Sequence, residues 1–179
     1  MFIDLLRKRR SIRQFENREV EKEKIDLLVE SMLRSPSSRS LYPWEFVVVT
    51  DPTLIADLAQ AKPHGASFMK NAPLAIVVCA NPAQCDVWIE DCSIASLNLH
   101  LQATDLGLGS CWIQIRKRDH DEQTSAEQYV RGLLGIKQNL AVAAIIAIGY
   151  ANEEKPGHAT SSLLYDRVSY NRYGEHNQS

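Results

Sequence analysis

The stretch Arg9-Arg10-Ser11-Ile12-Arg13-Gln14-Phe15 puts three guanidinium groups and a hydroxyl close together near the N-terminus. A phosphate dianion needs such donors. Guanidinium forks meet its oxygens with paired charge-assisted hydrogen bonds, and a serine hydroxyl adds a second kind of donor. In extended backbone Arg9, Ser11 and Arg13 project to one side. In a helix Arg9 and Arg13 still share a face. An arginine run can equally be a solvated surface segment, so its reading depends on what surrounds it.

Working outward, Ile3 to Arg9 reads as a short helix with Ile3, Leu5 and Leu6 facing inward. Glu21 to Arg34 is an amphipathic helix, with Ile25, Leu28, Val29 and Met32 at helical spacing and Pro36 beyond its end. Ser35 to Ser40 is a loop by composition. Phe46 to Thr50 is a β-branched strand. Asp51 and Pro52 then open a helix as its N-cap and first residue. Leu74 to Ala80 is a second strand, apolar throughout.

Asp86 to Leu106 is the longest helix and carries two apolar stripes. One is Trp88, Cys92, Ala95, Leu99, Ala103 and Leu106; the other is Ile94, Leu97 and Leu101. Two stripes imply cover on more than one side, at the centre of the fold or in a subunit interface. Gly107 and Gly109 end this helix, and Cys111 to Ile115 is a third strand. Ser125 to Leu134 is a helix closed by Gly135. Ala141 to Tyr150 is a fourth strand, apolar enough to be buried on both faces. From Ala151 to Ser179 the chain is polar, yet it holds Leu163, Leu164, Tyr165, Val168, Tyr170 and Tyr173. That pattern fits an arm packed on another surface better than a disordered tail.

The 179 residues show neither an internal repeat nor a boundary, so 1–179 reads as a single domain. A net charge of −2 argues against nucleic acid as a partner. No apolar run is long enough for a membrane span. The four cysteines form no C-x-x-C pair and have no histidine cluster at zinc-ligand spacing. A reduced, metal-free, cytoplasmic chain is the expectation.

Four blocks of this sequence, in order, resemble the FMN-dependent nitroreductase family. Arg9-Arg10-Ser11-Ile12-Arg13 is similar to the family's Arg-Arg-Ser-x-Arg phosphate motif after the first helix. Ser35-Pro36-Ser37-Ser38, with Pro43-Trp44-Glu45-Phe46, resembles the Pro-Ser-Ser loop and the Pro-Trp-x-Phe start of a strand. Asn98 to Ala103, Leu106-Gly107-Leu108-Gly109 and Cys111-Trp112-Ile113 resemble the central helix with its Gly-Leu-Gly end. Ile148-Gly149-Tyr150 resembles the last core strand. Ser40 and Tyr42 depart from the pattern, standing where many members have Asn and Gln.

The resemblance implies an α+β three-layer sandwich, with a central, mostly antiparallel mixed sheet between helices. It implies a homodimer with FMN at the interface and a C-terminal arm exchanged with the partner. Arg9 and Ser11, in one block with Arg10, would hold the phosphate. Arg13 would join them or reach the pyrimidine edge of the ring. Pro36, Ser37, Ser38, Ser40 and Tyr42 would lie along the flavin. Trp112, Ile113 and Gln114 match the segment beside it, with core packing the alternative for Trp112. Arg167 would be a second phosphate clamp or a solvated arginine. The implied activity is ping-pong transfer of hydride from NAD(P)H through flavin N5 to a small acceptor such as a nitroaromatic, quinone or enone. A flavin carrier or redox sensor with little turnover is the alternative. The cofactor carries the chemistry, so no catalytic side chain is expected, and none of the scattered histidines is assigned one.

Overall fold

A computed structural model describes residues 1–176; the last three residues of the expected arm, 177–179, lie outside the described residues. The two most apolar runs form the middle of a four-stranded sheet. They are β2 (Leu74–Ala80) and β4 (Ala141–Gly149), flanked by β1 (Trp44–Val49) and β3 (Gly109–Gln114) in the order β1-β2-β4-β3. All three ladders are antiparallel. The parallel component expected of a mixed sheet is a single bridge, Ser11 to Ser110.

Alternation divides the two central strands between two cores. Ala75, Val77 and Cys79 join Ile145 and Ala147 under α3 (Pro52–Leu58) and α5 (Ala126–Leu134). Leu74, Ile76 and Val78 join Ile146 and Ile148 under α2 (Lys22–Leu33) and α4 (Trp88–Asp105). The result is the expected helix–sheet–helix sandwich. Burial pushes the thiols of Cys79 and Cys92 up to about 12, so both are small hydrophobes in this core.

The helix ends follow the sequence signals. The Asp51 carboxylate accepts from the Thr53 and Leu54 amides, and Ser125 with Gln128 forms a capping box. Gly107 and Gly135 take the left-handed conformation that closes α4 and α5.

Two apolar faces find no cover among the described residues. On α4, Cys92, Ala95, Leu99 and Ala103 are fully buried, whereas Ile94 and Leu97 are 39% and 48% exposed. On α1 (Phe2–Lys8), Ile3 and Leu6 do not face inward as their spacing suggested; each is 42% exposed and no residue of this helix is buried. Residues 151–176 form no strand or α-helix, only short 3-10 turns at Thr160–Ser162 and Tyr165–Arg167. Leu163, Leu164, Tyr165, Val168, Tyr170 and Tyr173 stand exposed along this stretch.

Candidate functional site

Leaving α1, Arg9 turns to extended backbone (φ −57°, ψ 123°), and the chain runs alongside β3. The Ile12 amide donates to the Ser110 carbonyl at 3.0 Å. Ile12 is buried against Gly109, where even a Cβ would stand 2.7 Å from it. With Ile12 pinned inward, alternation in the extended backbone turns Arg9 and Ser11 away from it, while the Arg13 guanidinium lies over the Phe68 ring, 5.8 Å from its centroid. The ion pairs at either end of this segment are Arg7–Asp4 and Lys155–Glu153. Among the described residues neither Arg9 nor Arg13 has a carboxylate partner. Two unpaired guanidinium groups beside a hydroxyl are a donor set suited to a phosphate.

The start of the C-terminal segment holds this motif from behind. The Asn152 amide donates to the Gln14 carbonyl at 2.9 Å. The Glu153 carboxylate accepts from the amides of Arg13 (2.5 Å) and Gln14 (3.2 Å). The Arg13 amide foremost holds its carboxyl below the usual carboxylate range. Lys155 Nζ donates to the Ser11 carbonyl at 3.1 Å, and the Arg10 guanidinium donates to the Pro156 carbonyl. Arg10 thus ties down the arm, while among the described residues the Arg9 and Arg13 guanidinium groups make no hydrogen bond or ion pair, Arg13 lying over the Phe68 ring. Below the motif, His100 on α4 meets Ser110 Oγ at 2.7 Å through Nδ1. Burial, with the Arg9 charge adding to it, lowers the His100 pKa to about 4. The ring is neutral at pH 7 and adds no charge to the site.

The loop 35–42 is held by α4 and by the chain leading into it. Asn98 Nδ2 donates to Ser35 Oγ at 2.8 Å. The buried Asp91 carboxylate accepts from Ser37 Oγ at 2.8 Å and from the Ser38 amide at 3.0 Å. Gln84 Nε2 donates to the Leu41 carbonyl, and Arg39 pairs with Asp86. Arg39, Ser40 and Tyr42 all have positive φ (52°, 53° and 47°). Non-glycine residues reach that region at a cost of roughly 1–2 kcal/mol each, so the bonds to α4 hold a strained shape. Pro36, Ser40 and Tyr42 are exposed, and the Tyr42 ring lies tilted 5.5 Å from that of Trp44.

On β3, Trp112 Nε1 donates to Gln114 Oε1 at 3.0 Å, and Gln114 Nε2 donates to the Arg116 carbonyl. Both side chains are half-buried. Ile113 points the other way and is fully packed in the core, so its side chain faces no ligand. Arg167 is exposed on its 3-10 turn. Within one chain, these groups do not converge. Tyr42 precedes β1 at one edge of the sheet, while Ser11 pairs with β3 at the other. The register puts Trp44 and Ser110 at opposite ends as well. At about 4.8 Å per strand and 3.3 Å per residue, the two corners are on the order of 20 Å apart.

The comparisons with known proteins agree on this architecture. The Nitroreductase family model matches residues 6–62 and 54–150. The chain belongs to the nitroreductase family. A relative from Archaeoglobus fulgidus, which carries the provisional name NADH dehydrogenase/NAD(P)H nitroreductase, is 36% identical over 151 residues, covering 82% of this chain and 83% of its own. The solved structure of an FMN-dependent nitroreductase from Clostridium difficile superposes with a TM-score of 0.94 at 47% identity, covering 96% of this chain and 99% of that one. One from Parabacteroides distasonis, with the same provisional name as the archaeal relative, gives 0.86 at 31% identity, covering 96% and 98%.

Three structural features beside the candidate site of this nitroreductase-family chain escape a reading of motifs. Asp91 was detectable in principle: it is an acid among Trp88, Cys92 and Ala95 on the buried stripe of α4, where a charge demands a partner. The His100–Ser110 pair left only the weak signal of a histidine on an apolar helix. Glu153 and Lys155 gave none, because their partners are the backbone of a segment some 140 residues earlier.

Proposed function

We propose that this chain is an FMN-dependent NAD(P)H oxidoreductase that reduces small electrophilic acceptors such as nitroaromatics or quinones. The observation that carries the reading is the pair of unpaired guanidinium groups, Arg9 and Arg13, with the Ser11 hydroxyl, set in extended backbone beside β3. Arg9 and Ser11 would hold the FMN phosphate. Arg13, exposed and next in the alternation, would place its cation toward the pyrimidine edge of the ring, where it favours negative charge on reduction. FMN, held by Arg9, Ser11 and Arg13, would supply the hydride and electron chemistry between NAD(P)H and the acceptor. The residues of this chain bind, orient and bias the ring.

The active form proposed is a homodimer in which each FMN is walled by both copies and the C-terminal arm embraces the partner. In its support, the arginine motif and the 36–42 loop stand at opposite corners of one sheet, so a second copy can supply what the first lacks. The uncovered faces of α1, α4 and the arm are the apolar surface such an interface requires. Flavin content and light scattering of the purified protein test the reading together. About one FMN per chain in a dimer is the expected result, whereas a monomer binding one FMN per chain would remove the two-chain site.

A further inference from the structure

On the reading that the 35–42 loop lines the flavin, we infer that Asp91 is the positioning residue that sets the ring end of the site. Asp91 touches no ligand-facing surface; it is 2% exposed in the first turn of α4. Its carboxylate accepts from two points of the loop, Ser37 Oγ at 2.8 Å and the Ser38 amide at 3.0 Å. The buried Cys85 thiol approaches the same Oδ2 at 3.6 Å. Ser37 passes the constraint on. Having donated its proton to Asp91, its Oγ accepts from the Tyr42 amide at 2.9 Å. The chain of bonds from Asp91 to Ser37 to Tyr42 closes the loop on itself around Arg39, Ser40 and Tyr42, the residues of this loop with positive φ.

Three consequences follow from this wiring. The Ser37 hydroxyl is committed on both sides, so its role is to shape the loop. Ser40 and Tyr42, the two departures from the family pattern, are presented in a left-handed backbone that the loop would not keep unaided. The buried carboxylate is left unsatisfied when its loop partners are removed, and the half-buried hydroxyl and amide lose their acceptor when the carboxylate is removed, so either half of the arrangement is sensitive to substitution. The phosphate end, on β3 at the other edge of the sheet, shares none of these bonds.

The ring and phosphate ends can therefore be separated by ligand. Asp91→Ala is expected to weaken FMN and riboflavin alike, by roughly tenfold or more, and to leave their ratio within about twofold of the wild type. The visible circular dichroism of flavin bound at saturation should change, since the ring then meets a relaxed loop. Asp91→Asn keeps one oxygen for the Ser38 amide and is expected to fall between the two. Leu99→Ala, a core truncation on the same helix, should lower the melting temperature and leave flavin affinity and dichroism unaltered. If Asp91→Ala does not fold, Ser37→Ala decides, with the same changes in smaller degree. Wild-type affinity and dichroism in the folded variants, or a loss confined to FMN, would overturn the role of Asp91 and leave the proposed function standing. Wild-type protein that binds neither flavin would overturn the proposed function and this inference with it.

Discussion

Gly109→Ala tests how the arginine motif is seated. The added methyl carbon would stand 2.7 Å from Ile12 Cβ, 2.7 Å from Cγ2 and 2.8 Å from Cγ1. Apolar carbons sit comfortably at about 3.5–4.0 Å, so three contacts are each short by roughly an ångström. The obstacle has little freedom to give. Ile12 is β-branched, 8% exposed, and bound through its amide to the Ser110 carbonyl next door. Overpacking of this kind costs about 1–3 kcal/mol. In a protein of this length each kcal/mol corresponds to about 2–4 °C in melting temperature. The segment can relieve the clash by lifting off β3, which carries Arg9, Ser11 and Arg13 with it. Gly109→Ala should therefore melt several degrees lower and bind FMN more weakly. In an Ile12→Ala background, where two of the three clashing carbons are gone, it should cost distinctly less, as a double-mutant cycle would reveal. Unchanged melting and FMN affinity would refute this account of the seating.

Arg9→Ala should weaken FMN about ten- to a hundredfold and riboflavin little, because only FMN has the phosphate; competitive titration of the two flavins measures it, and equal losses would place Arg9 elsewhere. Arg10→Ala should cost less than Arg9→Ala in FMN affinity, since the Arg10 side chain is held by the Pro156 carbonyl. His100 is buried neutral with its pKa lowered to about 4, against about 6.5 when unfolded. The unfolded chain takes up that proton first, so its contribution is full above about pH 6.5 and is lost as pH falls toward 4, by about 3 kcal/mol. Denaturant unfolding of wild type and His100→Asn at pH 7 and 4.5 should show the variant with the shallower dependence; parallel profiles would contradict the assignment. Truncation after Gly157 keeps the bonds of Asn152, Glu153 and Lys155 to the motif and removes the exposed apolar residues of the arm. Light scattering should find the dimer lost or aggregated, and a stable dimer would make the arm dispensable.

The layers of this fold were legible because local signals and burial agree. The run from Leu74 to Ala80 could only be a covered strand, and it lies with its bounds unshifted in the middle of the sheet. Asp51–Pro52, Ser125 and Gly135 marked helix ends through backbone chemistry that needs no tertiary context. The spacing of Ile3 and Leu6 also reported a real apolar face, but not where its cover lies, since among the described residues it has none. At the site, residue types pointed to a phosphate-binding set, and the extended backbone at Arg9 matches the strand-like of the two side-chain arrangements. Alternation already set Arg10 apart from Arg9, but its partner was hidden, because that partner is a carbonyl at position 156. Asp91 could be suspected as an acid on a buried stripe, but its partners on the loop could not, because a carboxylate that serves backbone and hydroxyl donors across the fold leaves no motif that names them.

The most direct test of the proposed function is the visible spectrum of the purified protein, followed anaerobically as NADH or NADPH is added and then a nitroaromatic or quinone. The account predicts a yellow protein whose FMN is bleached by the reduced nicotinamide and recovers its colour when the acceptor arrives. A colourless protein that takes up no FMN at micromolar concentration, or a bound flavin that neither nicotinamide reduces, would contradict it.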